Sequence, residues 1–552
     1  MAKYFPVFIL TLIFVIVTSL NITKAVHMDD SYYITVAKSI TGDFLHPMSG
    51  IVGEGGDYTP IYQTFHPIVL QYIYALVIHF FGVSELILHL VISFFSLICI
   101  LAFYKLAKHF NPKLALFLTA VFAISPAFIP SQNLMLDIPA LSLFLLFFLV
   151  IITGKYDKYS NKTYFLAATL AGLAPLIKYS GFILIPILFF HIVLNKKWSS
   201  LWTVGIPILL QLLWGLWNWY DFGQIHLLSM EKKQIIFDIS SIILKLKLWL
   251  IGLGSITPFS MIIFPQFFST KFGKIFITIS LLFTLCINLL IWNYPFETLI
   301  EKSLRILFFF NALILIGIFF YFLFVHILNS YKKNSLKINS NTTLLVAWFL
   351  VINAYLFFIT PFIAPRYLLP SLPAILLLIA VFLKEKGISK LSYIGGIFSI
   401  LLGLMLGISD WVYADIYRTE ISTINNYINS VRKNEKLNTE IYYIGAMNFQ
   451  WYAEKANMKE YLGGKTALNE GDFVAIPRLM LRNQSPVSPK DSHYLKLIKT
   501  FPIKSAPFTY LKTVTDWPNS IAGFQGFFWD FQLPWSISSD PLEEFRIYRY
   551  EN

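Results

Sequence analysis

Residues 84–104 read SELILHLVISFFSLICILAFY, and Glu85 is the single Asp, Glu, Lys or Arg among them. The run is long enough for a transmembrane helix, because the hydrocarbon layer is about 30 Å thick and a helix rises about 1.5 Å per residue. The segment that follows, KLAKHFNPK (105–113), holds three lysines. An apolar run that ends in a basic loop is typical of a membrane helix whose lysine-rich end faces the cytoplasm.

The same pattern repeats along the chain and predicts an α-helical polytopic membrane protein with about thirteen spans. The spans are predicted near 4–20, 84–104, 114–131, 135–153, 163–180, 181–195, 200–220, 242–268, 275–293, 304–328, 342–360, 367–383 and 391–410. Every second loop is basic, which places these loops and the N-terminus in the cytoplasm. The loop lysines are Lys105, Lys108, Lys113, Lys155, Lys158, Lys162, Lys196, Lys197, Lys271, Lys274, Lys332, Lys333, Lys337, Lys384, Lys386 and Lys390.

The composition of the whole chain agrees with this class. Of its 552 residues, 57% are apolar and only 13% are charged, whereas soluble proteins carry roughly 25% charged residues. This composition excludes a cytosolic enzyme and a disordered chain. A disulfide-stapled domain is also excluded, since the two cysteines, Cys99 and Cys286, both lie in apolar runs. The net charge of +13 is accounted for by the cytoplasmic loops and does not indicate a nucleic-acid partner.

Two segments test the topology. Residues 66–82 (HPIVLQYIYALVIHFFG) are apolar but short, and counting them as a span would place the later basic loops outside. We therefore predict a helix lying in the outer face of the membrane. The loop 221–247 is predicted outside although it holds Lys232, Lys233, Lys245 and Lys247; long loops follow the charge bias weakly, and these lysines also suit anionic lipid headgroups.

The composition changes after residue 410. Residues 411–552 are richer in polar residues, with strands predicted at 441–445 and 472–477 and a helix at 449–458, as in a small α/β domain. We predict a catalytic membrane domain over 1–410, which includes an outer loop at 21–83 with in-plane helices. The α/β domain over 411–552 is predicted to be extracytoplasmic, in a protein of the plasma membrane.

Ionisable residues gather at the predicted outer ends of the spans, where such groups usually face a polar cavity. They are Asp29, Asp30, His66, Asp137, Lys178 and Arg366. Each has a simpler interpretation. The acids can cap the N-termini of helices, and His66-Pro67 can begin a helix. Lys178 can extend its ammonium to the membrane interface, and Arg366 with Tyr367 can anchor the chain at that interface.

All of these ionisable residues are predicted on the same side of the membrane, which favours their convergence on one cavity. A carboxylate that takes a proton from an acceptor, together with cations that stabilise a leaving phosphate, can transfer a group from a phosphate ester. Because the sequence lacks nucleotide-binding motifs, a lipid-borne donor is expected. Adjacent acids also suit a divalent metal, with Asp29, Asp30 and Asp137 as the possible ligands.

With these motifs in order, the sequence resembles the GT-C membrane glycosyltransferases, in the branch of protein O-mannosyltransferases and lipid A aminoarabinose transferases. The matching motifs are Asp29-Asp30 with Tyr33, His66-Pro67, Gly82-Val83-Ser84-Glu85, Asp137-Ile138-Pro139, Lys178-Tyr179-Ser180-Gly181 and Arg366-Tyr367-Leu368-Leu369-Pro370. The family more often has Asp-Glu at the first motif and His-Pro-Pro at the second.

The resemblance implies transfer of a hexose or pentose from a polyprenyl-phosphate carrier to an acceptor lipid, glycan or protein outside the cytoplasm, with inversion and without a required cofactor. It implies Asp29 as the base and Asp30 as a residue that positions the acceptor or Asp29. Lys178 and Arg366 would bind the donor phosphate. The remaining residues, His66, Asp137, Tyr33, Tyr179 and Tyr367, would shape the site.

Two other functions stay open. A ligase that moves a whole glycan from a polyprenyl diphosphate needs further outer cations, for which Lys232, Lys233, Lys245 and Lys247 are candidates. A lipid or sugar transporter is the non-enzymatic alternative, although transporters often show internal repeats and ionisable residues near the bilayer midplane. Neither feature is found in this sequence.

Overall fold

The computed structural model describes residues 4–54, 56–64, 66–154, 160–229, 239–290, 297–332, 340–360, 362–435, 439–481, 487–517, 520–524 and 533–551. The predicted loop residues Lys155, Lys158, Lys232, Lys233, Lys333 and Lys337 lie outside them. The helices are α1 Phe5–Ser19, α2 Asp30–Gly42, α3 Val69–Phe81, α4 Glu85–Phe110, α5 Ala115–Ala123, α6 Asp137–Thr153, α7 Asn161–Ile177, α8 Leu184–Leu194, α9 Gly205–Phe222, α10 His226–Ser229, α11 Ile239–Ile256, α12 Ser260–Phe268, α13 Lys271–Leu290, α14 Leu299–Lys332, α15 Ser340–Phe358, α16 Leu372–Lys386, α17 Lys390–Glu435, α18 Met447–Lys455 and α19 Pro489–Ser492.

The strands are short and lie mostly in the C-terminal part. They are β1 Ile51–Glu54, β2 Asp57–Pro60, β3 Ile441–Tyr443, β4 Lys459–Glu460, β5 Phe473–Pro477, β6 Leu495–Ile503, β7 Leu511–Lys512, β8 Val514–Trp517, β9 Ser520–Gly523, β10 Ser536–Ile537 and β11 Glu543–Tyr550. One five-stranded sheet has the order β4-β3-β5-β11-β6. Its first three strands run parallel and β11 is antiparallel to both of its neighbours.

The helices confirm a polytopic membrane protein with a small C-terminal sheet region. Seven helices in the described residues are long and apolar enough to cross a membrane, and the bent pair α11 and α12 makes eight. Four more apolar helices, including α1, α3 and α6, are shorter. The predicted total of about thirteen spans therefore stays a prediction.

Two predicted spans differ in shape from a straight helix. The span predicted at 114–131 is helical only over α5, and residues 124–136 form turns that lead into α6. The span predicted at 242–268 breaks between α11 and α12 with a bend of 95°. An apolar run predicts that a segment is buried, but it does not distinguish a helix from buried turns.

The predicted in-plane segment is the 13-residue helix α3, which packs against α2. The hydroxyl of Tyr72 in α3 donates to the carbonyl of Phe44, 2.7 Å away, in the loop after α2. The hairpin β1–β2 lies between these helices in sequence. The outer loop predicted at 21–83 is thus an ordered layer built from two helices and a hairpin.

Helix α17 joins the membrane part to the C-terminal region without a break at residue 410. Its 46 residues span about 70 Å, more than twice the thickness of the hydrocarbon layer. Tyr417 in its C-terminal half packs edge-on against Phe545 of β11, with ring centroids 5.7 Å apart. The predicted boundary between the two domains falls within this helix.

Glu85, at the start of α4, makes polar contacts that hold the C-terminal region against the membrane helices. Its carboxylate accepts from Lys455 at 2.8 Å and from the Tyr452 hydroxyl at 2.9 Å, both in α18. Arg418 of α17 lies 3.4 Å from the same carboxylate. The Tyr452 hydroxyl also accepts the backbone N–H of Val26 at 2.9 Å, so α18 is held against the loop that leads to α2.

Gly181 allows the turn between α7 and α8 to pack tightly. A Cβ at this position would lie 2.4 Å from the carbonyl carbon of Ala174 and 2.5 Å from the nitrogen of Pro175. Both are backbone atoms, which cannot move aside as a flexible side chain can. The glycine therefore permits the close approach at the point where Lys178 leaves the end of α7.

We predict that Gly181→Ala lowers the free energy of unfolding by about 1–3 kcal/mol, because the added methyl overpacks this turn. Gly205→Ala is the matched control, since a Cβ there has no neighbour within 4 Å. Thermal denaturation of the purified protein in detergent measures both changes. An equal melting temperature for the two variants would contradict this account of the turn.

Candidate active site

Asp29 and Arg366 form the first of two ion pairs in the candidate site. A guanidinium nitrogen of Arg366 lies 3.0 Å from the Asp29 carboxylate. Asp29 occupies the N-cap position of α2 but makes no side-chain capping bond, contrary to the simpler interpretation from the sequence. Its side chain is 33% exposed. The carboxylate is thus paired with a cation and still partly exposed.

Lys178 and Asp137 form the second pair. The ammonium of Lys178 donates to the Asp137 carboxylate at 2.6 Å. Asp137 is the first residue of α6, and Lys178 lies between the end of α7 and the 3-10 turn Tyr179–Ile183. Polar side chains fit at such breaks because the ends of helices leave backbone groups unpaired.

Tyr367 brings the two pairs together. Its ring centroid is 4.6 Å from the Lys178 ammonium and 5.6 Å from the centre of the Arg366 guanidinium. Arg366 lies in the 3-10 turn Pro365–Ser371 that precedes α16, and it is largely buried. The interpretation of Arg366 and Tyr367 as an interfacial anchor is not supported, because the arginine faces Asp29.

His66 borders the same region. Burial lowers the pKa of His66 to about 4. The positive charges of Lys178 and Arg366 lower it in the same direction, while Asp29 and Asp137 oppose the change. All four charges thus act on one imidazole, which remains neutral at physiological pH. The ring of Tyr33 lies 5.8 Å from that of His66.

Tyr179 is held by a residue that the sequence analysis did not select. Its hydroxyl lies 2.5 Å from Nδ1 of His226, and Nε2 of His226 lies 2.8 Å from the carbonyl oxygen of Thr64. The Thr64 hydroxyl accepts from Tyr32 at 2.6 Å. These bonds fix the segment that carries His66 against α10 and the turn after Lys178.

Asp30 has a different environment from its neighbour. Its side chain is fully buried, and its carboxylate accepts the backbone N–H of His27 at 3.0 Å. Burial raises the pKa of Asp30 to about 8, so the group carries a proton at neutral pH. Asp30 therefore stabilises the turn that presents Asp29, whereas Asp29 is the accessible acid of the two.

The described residues do not support a metal site. Nowhere among them do three His, Cys, Asp or Glu side chains come together in a way that could hold a metal ion. Of the three ligands suggested by the sequence, Asp29 and Asp137 each face a cation and Asp30 is buried separately. Two cations thus occupy the positions next to the carboxylates.

The sequence analysis also missed a buried cluster behind Asp29, formed by Lys24, His27, Asn133 and Asp410. Lys24 makes an ion pair with Asp410 and donates to Asn133. The signal that selected the other residues applies to this pair as well, since Lys24 and Asp410 are ionisable groups at the ends of apolar runs. Asp410 is the last residue of the span predicted at 391–410, and Lys24 follows the span predicted at 4–20, so neither was selected as a site residue.

Lys245 is one of the lysines considered for a second donor phosphate. Its side chain is buried and donates to the carbonyl oxygens of Phe357 at 3.0 Å and Thr360 at 2.7 Å. This lysine therefore closes the end of α15. Lys247 is partly exposed, and Lys232 and Lys233 lie outside the described residues.

Residues 65–217 match the model of a family described as dolichyl-phosphate-mannose-protein mannosyltransferase. The matched region includes His66, Asp137 and Lys178. It confirms, for these residues, the predicted resemblance to the protein O-mannosyltransferase branch of the GT-C glycosyltransferases. None of the curated proteins compared with the chain matches it.

Solved structures of two membrane enzymes are similar to this chain. ArnT from Cupriavidus metallidurans, bound to undecaprenyl phosphate, is 13% identical with a TM-score of 0.43, over 86% of this chain and 93% of that one. The apo oligosaccharyltransferase from Archaeoglobus fulgidus is 15% identical with a TM-score of 0.44, over 84% of this chain. This chain covers 65% of the archaeal enzyme, less than two thirds of its length.

The charged groups around His66 should determine the pH at which its imidazole reacts with a chemical reagent, and a substitution of Lys178 should change that pH. Diethyl pyrocarbonate modifies neutral imidazole, so His66 in the wild-type protein should react down to about pH 5. In Lys178→Met the pKa of His66 should rise, because a nearby positive charge is removed. As the pH is lowered, the variant should therefore lose its reactivity at a higher pH than the wild-type protein does. Peptide mass spectrometry measures the rate at this residue.

Lys162→Met is the control, because Lys162 lies at the other end of α7. It should leave the pH dependence of His66 unchanged. A wild-type midpoint near 6.5 that does not move in Lys178→Met would show that His66 is not in this charged region.

Proposed function

We propose that this protein is a membrane glycosyltransferase that moves a sugar from a polyprenyl-phosphate carrier to a hydroxyl of a lipid, glycan or protein. The observation that supports it best is the pair of carboxylate–cation contacts around Tyr367. The matched family is described by a reaction of this kind, with a lipid-phosphate sugar as the donor. The site is proposed to face the outer side of the plasma membrane, with the N-terminus in the cytoplasm.

Lys178 and Arg366 are proposed to bind the donor phosphate. A sugar–phosphate–polyprenyl diester carries one negative charge, and the leaving polyprenyl phosphate gains charge as the bond to the sugar breaks. Two fixed cations stabilise that developing charge without a metal ion. The site holds two cations and two carboxylates. A donor phosphate would add a third negative charge, which the two cations would then share with the carboxylates.

Asp29 is proposed as the general base. The acceptor oxygen forms a bond to the anomeric carbon while the bond from that carbon to the phosphate oxygen breaks, and the acceptor proton passes to Asp29. Attack opposite the leaving phosphate inverts the anomeric centre. Binding of the phosphate would draw Arg366 away from Asp29, and a carboxylate without its cation accepts a proton more readily.

The other predicted residues are proposed to shape this site. Asp30 holds the turn before α2 through the N–H of His27. Asp137 orients Lys178, and Tyr367 stacks beside both cations. Tyr33 and the neutral His66 line the side next to Asp29, and Tyr179 is fixed by His226.

The two other functions have less support. A ligase that uses a diphosphate carrier needs further free cations, and Lys245 is already bonded to two carbonyl oxygens. A transporter needs no general base, yet Asp29 is partly exposed and lies beside the Arg366 guanidinium. Radiolabelled sugar separates these functions, because covalent transfer to an acceptor marks an enzyme and passage of unmodified substrate marks a transporter.

We predict that Asp29→Asn lowers the turnover number about 100- to 10,000-fold, because the amide keeps the size of the side chain and removes the base. Affinity for polyprenyl phosphate should not fall, because the variant removes the carboxylate that competes for Arg366. Asp43→Asn is the matched control, since Asp43 is an exposed acid that follows α2 at its other end. Transfer of radiolabelled sugar at a wild-type rate by purified Asp29→Asn protein would refute this role.

We predict that Lys178→Ala and Arg366→Ala each weaken binding of polyprenyl phosphate about 10- to 100-fold, the effect of losing one charge-assisted hydrogen bond. Titration calorimetry or a native mass shift measures the affinity. Lys162→Ala, at the far end of α7, is the control. Wild-type affinity in both site variants would place the phosphate elsewhere.

A further inference from the structure

A buried cluster ties three parts of the membrane domain together behind the candidate site. The ammonium of Lys24 forms an ion pair with Asp410 of α17, and it also donates to the side-chain oxygen of Asn133 at 2.5 Å. The side chains of Lys24 and Asp410 are each 1% exposed. One cation thus joins the loop before α2, the turns before α6 and the last membrane helix.

Two more residues complete the surroundings of Asp410. The Thr513 hydroxyl donates to its carboxylate at 2.7 Å, which brings in the C-terminal region. His27 Nε2 lies 3.4 Å from the same carboxylate. Burial lowers the pKa of His27, so this imidazole is neutral and Lys24 provides the positive charge.

The position of the cluster in the chain links it to the proposed chemistry. Lys24 precedes Asp29 by five residues, and Asn133 precedes Asp137 by four. Those two carboxylates belong to the two ion pairs of the site. The Lys24 ammonium therefore holds the two segments that carry Asp29 and Asp137. It is not itself part of the ion pairs that these two acids make.

A buried ion pair is a poor choice for stability alone. Removing two charges from water is costly, and apolar side chains of similar volume often stabilise a protein as well or better. A charged pair does, however, impose a geometry that apolar contacts do not specify. Here the geometry concerns Asp29, which must stand within reach of both an acceptor hydroxyl and the anomeric carbon.

We propose that Lys24 and Asp410 are positioning residues for the transfer reaction, which set the place of Asp29 relative to Lys178 and Arg366. The proposal rests on the proposed function of the site. Thr513 makes the C-terminal region part of the same arrangement. A displacement of about 1 Å of a catalytic group can cost about 100-fold in rate.

The test compares Lys24→Met with a buried ion pair that does not touch the site. Arg305 of α14 pairs with Glu297, with side chains 0% and 1% exposed. Lys24→Met should lower kcat about 100-fold with KM for the donor within about twofold of wild type. Arg305→Met should lower the melting temperature to a similar extent and leave kcat unchanged.

Conservative variants separate positioning from a general loss of structure. Lys24→Arg keeps the charge and should recover much of the turnover lost in Lys24→Met. Asp410→Asn keeps the size and should reduce kcat as Lys24→Met does. Thr513→Val removes one bond to Asp410 and should lower kcat severalfold, and it tests the proposal even if the charge-removing variants do not fold.

A second readout does not depend on transfer activity. A carbodiimide labels accessible carboxylates, and the Arg366 contact shields Asp29 in the wild-type protein. Labelling of Asp29 should therefore be faster in Lys24→Met and Thr513→Val than in Arg305→Met. If the wild-type protein transferred no sugar, the proposed function would fail while this measurement still reported on the position of Asp29.

The proposal is overturned if the folded Lys24→Met, Asp410→Asn and Thr513→Val proteins keep wild-type kcat and wild-type labelling of Asp29. It is also overturned if Arg305→Met loses turnover by the same factor as Lys24→Met. In that case the loss would follow from reduced stability and not from the position of Asp29.

Discussion

A charge cannot remain unpaired in a medium with little water, and this constraint organises the whole membrane part of the protein. Each buried cation in the region of the site has a carboxylate or carbonyl partner: Lys178 with Asp137, Arg366 with Asp29, Lys24 with Asp410 and Lys245 with two backbone oxygens. Leaving one partner of a buried pair alone typically costs about 3–5 kcal/mol. The pairs therefore determine which helix ends must meet.

The same constraint explains why the site lies at interruptions in the helices. Asp137 begins α6, Lys178 follows the end of α7, and Arg366 lies in a 3-10 turn. At these positions the backbone has free polar groups and the side chains leave the apolar faces of the helices. The two cations, Lys178 and Arg366, are therefore held in place by their carboxylate partners at the ends of the helices.

The sequence indicated ionisable residues as candidates for a site but did not indicate their partners. Charge at the end of an apolar run is visible in one dimension, and it selected Asp29, Asp137, Lys178 and Arg366. That Lys178 pairs with Asp137 depends on how α6 and α7 pack, which no spacing in the chain specifies. Lys24 and Asp410 show the same limit, since the two residues share a buried contact although they are 386 positions apart in the sequence.

The prediction of the fold shows a corresponding division. The hydrophobic runs predicted the helical class, the short helix α3 and the strands β3 and β5, because burial and alternation leave a local pattern. The turns at 124–136 and the continuation of α17 past residue 410 were not predicted. Buried turns are as apolar as a helix, and the C-terminal half of α17 acquires its apolar partners from the sheet, through contacts such as Tyr417 with Phe545.

We propose that one polar site beside Tyr367 receives the phosphate of a lipid-linked sugar. An electron cryomicroscopy structure of the protein with a bound polyprenyl-phosphate analogue tests it most directly. We expect phosphate density within hydrogen-bonding distance of Lys178 Nζ and the Arg366 guanidinium, with Asp29 released from its contact to Arg366. Phosphate bound elsewhere, with both ion pairs of the site intact, would contradict it.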